Sequence, residues 1–219
     1  MSRITVFAGH YGSGKTLLAV NYALSLSKRG KRVILADLDI VNPYFRTNDH
    51  ARRLNEAGVK LIVSKYAGSN AELPGFPPEA AAAFDDTDSY AVLDVGGDDR
   101  GALALGRFAA RLEKAGYSML LVANAYRPLT ARPEQLAEIK QEIERASRVR
   151  FTGVVNNSHL SAQTTAGDIL ASREYISAVC AATGLPLVFT SARKDIAAKL
   201  PEDVGTVFPI SVFPLMGLL

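Results

Sequence analysis

Residues 9–16 combine the groups that a protein needs to hold a chain of phosphates. They read Gly-His-Tyr-Gly-Ser-Gly-Lys-Thr, which matches the phosphate-loop pattern G-x-x-x-x-G-K-[ST]. Glycines let successive backbone N–H groups curl around an anion, and the start of the following helix adds positive potential. Lys15 can reach the β- and γ-phosphates of a nucleotide, and the Thr16 hydroxyl can bind Mg²⁺. The apolar run Ile4–Ala8 just before the loop supplies the strand that this motif requires.

Two contacts with the nucleotide are expected from later parts of the chain. Gly97 allows a backbone N–H to approach the γ-phosphate, and the Asn156 amide can pair with the edge of a purine. An Asx-turn that closes the strand is the alternative for Asn156. No N-K-x-D string occurs, so ATP is expected rather than GTP. The full set of expected nucleotide-binding residues is Gly9, His10, Tyr11, Gly12, Ser13, Gly14, Lys15, Thr16, Leu17, Gly97 and Asn156.

Three aspartates follow predicted strands and are candidates for the metal site. Asp37 and Asp39 lie at positions i and i+2 of one strand end, so their side chains point the same way. Such a pair needs a cation nearby, and Mg²⁺ brought by the nucleotide supplies one. Asp94 ends a later apolar run, where an acid commonly supports Mg²⁺ in phosphate-loop proteins. For each aspartate, a turn or capping role is the alternative. The expected metal-binding residues are Thr16, Asp37, Asp39 and Asp94; the expected catalytic residues are Lys15 and Asp39, the latter orienting the attacking water.

Strands and helices alternate along the whole chain. Most of the apolar runs are continuous rather than alternating, which is typical of strands buried on both faces of a parallel sheet. The sequence therefore predicts a three-layer α/β/α fold with a mostly parallel sheet, as one nucleotide-binding domain over residues 1–219. The predicted strands are 4–8, 32–36, 59–63, 90–95, 118–123, 151–155 and 187–190, with a last strand in the apolar tail after 207. The predicted helices are 15–29, 48–57, 101–115, 133–146 and 166–183.

The composition argues against several classes of partner. The 25 basic and 22 acidic residues nearly balance, and no strong basic cluster appears, so a nucleic-acid partner is not expected. No apolar run is long enough to cross a bilayer, and Pro209 and Pro214 interrupt the apolar tail, so no membrane anchor is expected. Cys180 is the only cysteine, which fits a reducing cytoplasm. The residues Met1-Ser2-Arg3 lead directly into a predicted strand, so no signal peptide is expected.

In this order along the chain, the motifs resemble those of the MinD/ParA/Mrp branch of phosphate-loop ATPases, which also includes CobQ/CobB-like synthetases. The resemblance rests on residues 9–16, on Asp37 and Asp39 with Pro43, on Asp94 with Gly97, and on Asn156. It implies that these segments cradle phosphate, form a first and a second nucleotide-sensitive switch, and contact adenine. The strings G-H-Y-G-S-G-K-T and D-I-V-N-P-Y-F-R are similar to those of a bacterial ATP-binding subfamily.

Two positions depart from the pattern of that branch. His10 stands where the family usually has a lysine that reaches the nucleotide of a dimer partner, and imidazole cannot copy a long ammonium stem. The resemblance therefore leaves a homodimer open rather than implied. Leu17 stands where the family often has a hydroxyl for the α-phosphate, so that contact falls to backbone N–H groups.

Three functions are compatible with these residues. The first is a Mg²⁺-dependent ATP hydrolase that acts as a nucleotide switch on a partner protein or client. The second is an ATP-dependent small-molecule kinase or ligase of the CobQ or dethiobiotin-synthetase type, with its acceptor near His10, Tyr11, Tyr44 and Arg46. The third is a nucleotide sensor that binds without turnover. Phosphate release with and without an acceptor separates them.

Overall fold

The computed structural model describes residues 2–38, 50–63, 83–96 and 99–213. Within these ranges the strands are β1 Ile4–Ala8, β2 Arg32–Asp37, β3 Val59–Val63, β4 Ser89–Asp94, β5 Tyr117–Ala123, β6 Gly153–Asn156, β7 Leu187–Arg193 and β8 Val207–Ile210. The helices are α1 Lys15–Lys28, α2 Ala51–Glu56, α3 Asp99–Gly106, α4 Ala109–Ala115, α5 Pro133–Ser147, α6 Ala166–Thr183 and α7 Lys194–Ala197. Each predicted strand overlaps an observed one, including the strand expected in the tail.

The strands form one parallel sheet in the order β3-β2-β4-β1-β5-β6-β7-β8. Strand β1 lies between β4 and β5, so the chain first builds the sheet toward one edge and then toward the other. In open parallel sheets, the crevice at such a reversal, outside the carboxyl ends of the strands, is where ligands bind. The sheet order therefore puts the loop after β1 at the position where folds of this type bind ligands.

Helices cover both faces of the sheet, as the continuous apolar strands predicted. On one face, Phe7 of β1 packs in a cluster with Leu18 and Tyr22 of α1. On the other face, Val6 belongs to a cluster that includes Leu136 of α5 and Ile176 of α6. These side chains are at most 6% exposed. The predicted three-layer α/β/α fold is confirmed.

The stretch predicted as one helix over 101–115 is two helices, α3 and α4. The break follows Gly106, where an added Cβ would be 3.0 Å from the Ser147 carbonyl oxygen at the end of α5. Phe108 comes directly after the break, and its ring stacks on Phe84 with 4.8 Å between the ring centres. The close approach of α5 and the stacking of Phe108 are tertiary contacts, which helical periodicity alone does not reveal.

The end of the described chain packs on α1 and α2. The Asn21 side chain donates a hydrogen bond to the Ser211 carbonyl oxygen at 3.0 Å and accepts one from the Ser211 N–H at 2.8 Å. Phe213 lies 5.0 Å from the His50 ring and 4.3 Å from the Arg53 guanidinium. The described residues include no helix with the length and apolarity needed to cross a membrane.

Candidate functional site

The loop between β1 and α1 has the backbone that an anion site needs. Gly14 immediately precedes α1 with φ +88°, in the left-handed region where L side chains are strained. Within the described chain, no side chain caps the start of α1. The first N–H groups of a helix have no partner inside the helix, so they point toward the space above the loop with the positive end of the helix dipole. This geometry suits a phosphate group.

Lys15 spans this loop from within. Its ammonium donates a hydrogen bond to the His10 carbonyl oxygen at 3.0 Å, and the residue is only 6% exposed. The side chain is therefore folded across the loop, where it can exchange this carbonyl for a phosphate oxygen without travelling far. The His10 ring contacts its own loop, with Nδ1 3.0 Å from the Tyr11 carbonyl oxygen, and the Tyr11 ring is 55% exposed.

Thr16 joins the loop to the end of β4. Its hydroxyl donates a hydrogen bond to Asp94 Oδ2 at 2.5 Å, and Asp94 is 1% exposed. Asp37 at the end of β2 is the register partner of Asp94, and the Leu38 N–H donates to the Asp94 carbonyl oxygen at 2.8 Å. Register partners on parallel strands point to the same face, so the two carboxylates lie side by side. The structure thus brings together three of the four residues predicted to bind metal.

The donors at this point fit Mg²⁺ held partly by a nucleotide. Mg²⁺ is usually bound through one or two carboxylates, with phosphate oxygens and water filling the remaining positions. Thr16, Asp37 and Asp94 offer oxygen ligands of this kind. No group of three or more acidic, histidine or cysteine side chains that could hold a metal occurs in the described residues. The three oxygen donors would suit a metal that arrives with phosphate.

Asp39 and Gly97 lie outside the described residues. They belong to the segments that begin directly after Leu38 and Gly96, so their predicted roles stay predictions. Gly96 itself is tightly enclosed: a Cβ on Gly101 of α3 would come within 2.8 Å of the Gly96 carbonyl oxygen.

The structure does not bring Asn156 to the loop. Its side-chain nitrogen Nδ2 donates to the Ser172 hydroxyl of α6 at 2.9 Å, and its side-chain oxygen Oδ1 accepts from the Ser158 N–H at 3.2 Å. The side chain points to the face opposite α1 and lines a cavity of about 340 Å³ beside Ile176 and Thr190. The predicted contact with adenine stays a prediction.

The amide at the loop is that of the next residue, Asn157, which the sequence interpretation did not select. Asn157 donates to the Ser13 carbonyl oxygen at 2.7 Å and accepts from the Ser191 hydroxyl at 2.5 Å. A Cβ on Gly14 would stand 2.4 Å from its Nδ2 atom. Strand alternation could have predicted this position, because Val155 and Asn157 lie on the same face of the sheet, the one that packs against α1.

His159 was also missed by the sequence interpretation. It is 8% exposed, and burial together with the positive charge of Arg127 lowers its pKa to about 4. Its Nε2 atom is 3.4 Å from the position that a Cβ of Gly14 would occupy. A buried histidine held neutral beside the phosphate loop has no signature in the sequence, because it depends on which loops meet.

The sequence of the chain matches a known protein family. Residues 4–169, more than half of the chain, match the sequence profile of the CobQ/CobB/MinD/ParA nucleotide-binding domain. No individually curated protein is similar enough in sequence to count as a relative.

Among solved structures, the signal recognition particle 54 kDa protein from Aeropyrum pernix K1, in complex with GDP, is 22% identical with a TM-score of 0.52; the match covers 85% of this chain and 40% of that one. The signal recognition particle receptor FtsY from Elizabethkingia anophelis is 16% identical, with a TM-score of 0.53 and 85% and 57% coverage. The same receptor in complex with GDP is 16% identical, with a TM-score of 0.54 and 87% and 57% coverage. The chain thus spans between two fifths and three fifths of those structures, and the likeness concerns the fold.

The matched residues contain β1, the glycine loop, α1, the acidic ends of β2 and β4, and the amide-bearing end of β6. These elements carry the motifs on which the resemblance rests, and that resemblance is confirmed. The chain belongs to the CobQ/CobB/MinD/ParA family of phosphate-loop nucleotide-binding domains.

Proposed function

We propose that the protein binds ATP with Mg²⁺, hydrolyses it slowly, and uses the nucleotide state to govern its contact with a partner protein. The observation that carries the proposal is the hydrogen bond from Thr16 to the buried Asp94, directly beneath the loop that Lys15 spans. A hydroxyl and a carboxylate in this relation, beside an uncapped helix start, are the parts that phosphate-loop enzymes use to hold Mg²⁺ and the terminal phosphates.

The binding role falls to groups that are already in position. The N–H groups at the start of α1 would hold the phosphate chain, and Lys15 would move from the His10 carbonyl oxygen to a phosphate oxygen. Thr16, Asp94 and Asp37 would hold Mg²⁺, directly or through water. When bound, Mg²⁺ neutralises charge on the phosphates.

Hydrolysis requires a water molecule held in line with the γ-phosphate. We assign that task to Asp39, because it stands two residues after Asp37 in the sequence, and residues at positions i and i+2 of an extended chain face the same way. Lys15 would stabilise the charge that develops on the transferred phosphoryl group. An Asp39→Ala variant that binds ATP but no longer releases phosphate would support this assignment; unchanged release would end it.

The switch role rests on the two segments that leave this edge of the sheet. The proposed switch segments are residues 37–46 and 94–101, which begin at the acidic ends of β2 and β4. Those strand ends lie beside Thr16 of the phosphate loop, where the γ-phosphate is expected. Segments at that position commonly order around a triphosphate and relax after hydrolysis. We propose that a partner protein or client binds the surface formed by these segments. The proposal takes residues 1–219 as a single domain in the cytoplasm. A homodimer stays open, because His10 stands in place of the expected lysine.

The first test is nucleotide binding by calorimetry, with ATP and GTP, with and without Mg²⁺. Lys15→Met should lower triphosphate affinity by roughly 10- to 100-fold, since a charge-assisted contact is lost. Lys28→Met is the matched control, because it removes a lysine from the exposed far end of the same helix. Tighter binding of GTP than of ATP would refute the proposal that the protein prefers adenine. An equal loss of affinity in Lys15→Met and Lys28→Met would refute the assignment of Lys15 to the phosphate site.

Turnover and mass, measured together, separate the three candidate functions. Slow phosphate release from ATP alone, with a change in mass or partner binding on adding ATP and Mg²⁺, supports the switch. Release that begins only when a metabolite mixture is added supports a kinase or ligase. Binding with no release under either condition supports a sensor.

A further inference from the structure

His159 carries a hydrogen-bond donor that the described part of the chain does not use. The Ser161 N–H donates to His159 Nδ1 at 3.1 Å, so Nδ1 is an acceptor and a neutral ring carries its proton on Nε2. Among the described residues, Nε2 has no hydrogen-bond partner, although the side chain is more than nine-tenths buried. Buried polar atoms are nearly always paired in folded proteins, so an unpaired donor calls for a partner that is not yet in place.

The donor lies at the phosphate loop. Nε2 is 3.4 Å from the position of a Cβ on Gly14, next to the Asn157 amide that holds the Ser13 carbonyl oxygen. The His159 carbonyl oxygen accepts a hydrogen bond from Asn124 at 3.5 Å. The ring is therefore carried where the loops after β5 and β6 meet the loop after β1, at the carboxyl edge of the sheet.

The charge state of His159 indicates what kind of partner it takes. Its low pKa, about 4, keeps the ring neutral at physiological pH, with a single N–H to donate. Phosphate groups are best matched by cations and by the N–H groups of a helix start, which Lys15 and α1 already provide. A neutral donor beside them is suited to an uncharged acceptor, such as a ring nitrogen of a base or a ribose oxygen.

Resting on the nucleotide site proposed above, we infer that His159 binds the nucleoside part of the ligand, donating its Nε2–H to an acceptor on the base or the ribose. Because Nε2 is buried, this contact would require the His159 ring to turn or the loop around it to shift. His159 then distinguishes a complete nucleotide from its bare phosphate chain.

The experiment compares two ligands on three forms of the full chain. ATP and inorganic tripolyphosphate, each with Mg²⁺, are titrated by calorimetry into the wild type, His159→Asn and His159→Gln. The asparagine oxygen can still accept the Ser161 N–H, but its amide does not reach the position of Nε2. The glutamine amide reaches about that far, so it serves as the conservative rescue. Unfolding of each variant is measured alongside.

For His159→Asn, we expect ATP affinity to fall about three- to tenfold, the usual effect of one neutral hydrogen bond, with tripolyphosphate affinity unchanged. His159→Gln should recover part of the loss. With 7-deaza-ATP, a penalty that disappears assigns the acceptor to N7 of the base, and a penalty that persists assigns it to another nucleoside atom.

Equal losses for ATP and tripolyphosphate would show that His159 only supports the loop, and no loss for either would show that its donor is idle; both results overturn the inference. A wild type that does not bind ATP at all, or that binds it independently of Lys15, counts instead against the proposed function. The two failures are therefore distinguishable in one set of titrations.

Discussion

The Thr16 hydroxyl and the Asp94 carboxylate meet across 2.5 Å, although 78 residues separate them in the chain. The contact links the end of the phosphate loop to the end of the neighbouring strand, next to Asp37. A metal bound here would find both oxygen atoms already adjacent, so binding them as ligands would cost little rearrangement.

Asp94→Asn should remove the dependence of nucleotide binding on Mg²⁺. The amide keeps the shape of the side chain but loses the charge that attracts the cation, so the tightening of ATP binding by Mg²⁺ should fall by roughly 10- to 100-fold. Titrations with Mg²⁺ and with EDTA measure it. Asp88→Asn is the control, since Asp88 pairs with the exposed Arg32 at the opposite end of the sheet. An Asp94→Asn protein that still responds fully to Mg²⁺ would refute the metal assignment.

Asn157→Ala and Asn156→Ala should have different consequences despite their adjacent positions. Each removes a buried amide with two hydrogen bonds and should cost roughly 1–3 kcal/mol of unfolding free energy. Only Asn157→Ala withdraws support from the Ser13 carbonyl oxygen, so it alone should weaken tripolyphosphate binding.

Denaturant unfolding and calorimetry on both variants provide the comparison. If Asn156→Ala weakens ATP binding and leaves tripolyphosphate binding intact, the adenine contact expected from the sequence is correct. If Asn157→Ala binds tripolyphosphate normally, the proposed support of the loop by Asn157 is wrong.

Gly14→Ala should abolish nucleotide binding, whereas Gly30→Ala should not. Both glycines have positive φ, +88° and +73°, so alanine costs about 1–2 kcal/mol of backbone strain at either position. At Gly14 the new Cβ would also lie 2.4 Å from Asn157 Nδ2, while at Gly30 nothing is within 4 Å. Thermal unfolding of the two variants measures the backbone strain that both share. ATP titration measures the additional effect of displacing Asn157, which only Gly14→Ala has. Similar ATP affinity in the two variants would contradict this account.

Acidification should destabilise the protein through His159. The folded-state pKa is about 4 and the unfolded value is 6.5, so between these pH values the unfolded chain binds more protons. The stability that a neutral His159 contributes is therefore complete above pH 6.5 and declines as pH falls toward 4, by at most about 3 kcal/mol. Denaturant unfolding at several pH values measures the slope.

His159→Asn is the control for this slope, because it removes the titrating ring and leaves the other acids and bases unchanged. The hydrogen bond from Arg193 lowers the pKa of Asp195 to about 2, so Asp195 titrates below the pH range of 4 to 6.5 in which His159 acts. A wild type and variant with parallel pH profiles would show that His159 does not carry the effect.

Much of the fold could be predicted from the sequence because its strands are buried on both faces. Continuous apolar runs mark such strands, and the glycines at 30, 58, 116 and 184, all with positive φ, mark where the helical segments end. The glycine loop identified the anion site because its chemistry is local: the glycines, the lysine and the hydroxyl are contiguous in the chain.

The rest of the site depends on contacts between distant segments. The break between α3 and α4 arises where Gly106 meets the Ser147 carbonyl oxygen, and the sequence around Gly106 alone reads as continuous helix. His159 becomes a buried neutral donor only because the loop after β6 folds beside Gly14. The position of Asn157 could have been predicted, since strand alternation places it on the face of the sheet that packs against α1, one residue after Asn156.

The packing of Ser211 and Phe213 connects the last described residues to the nucleotide-binding end of the molecule. Asn21 of the helix that begins at the phosphate loop holds Ser211, and Phe213 contacts His50 and Arg53 at α2. Ser211 and Phe213 therefore join two helices that lie, in sequence, on either side of the first proposed switch segment. Removing the chain from Ser211 onward would take away both contacts at once, so α1 and α2 would lose a shared point of attachment.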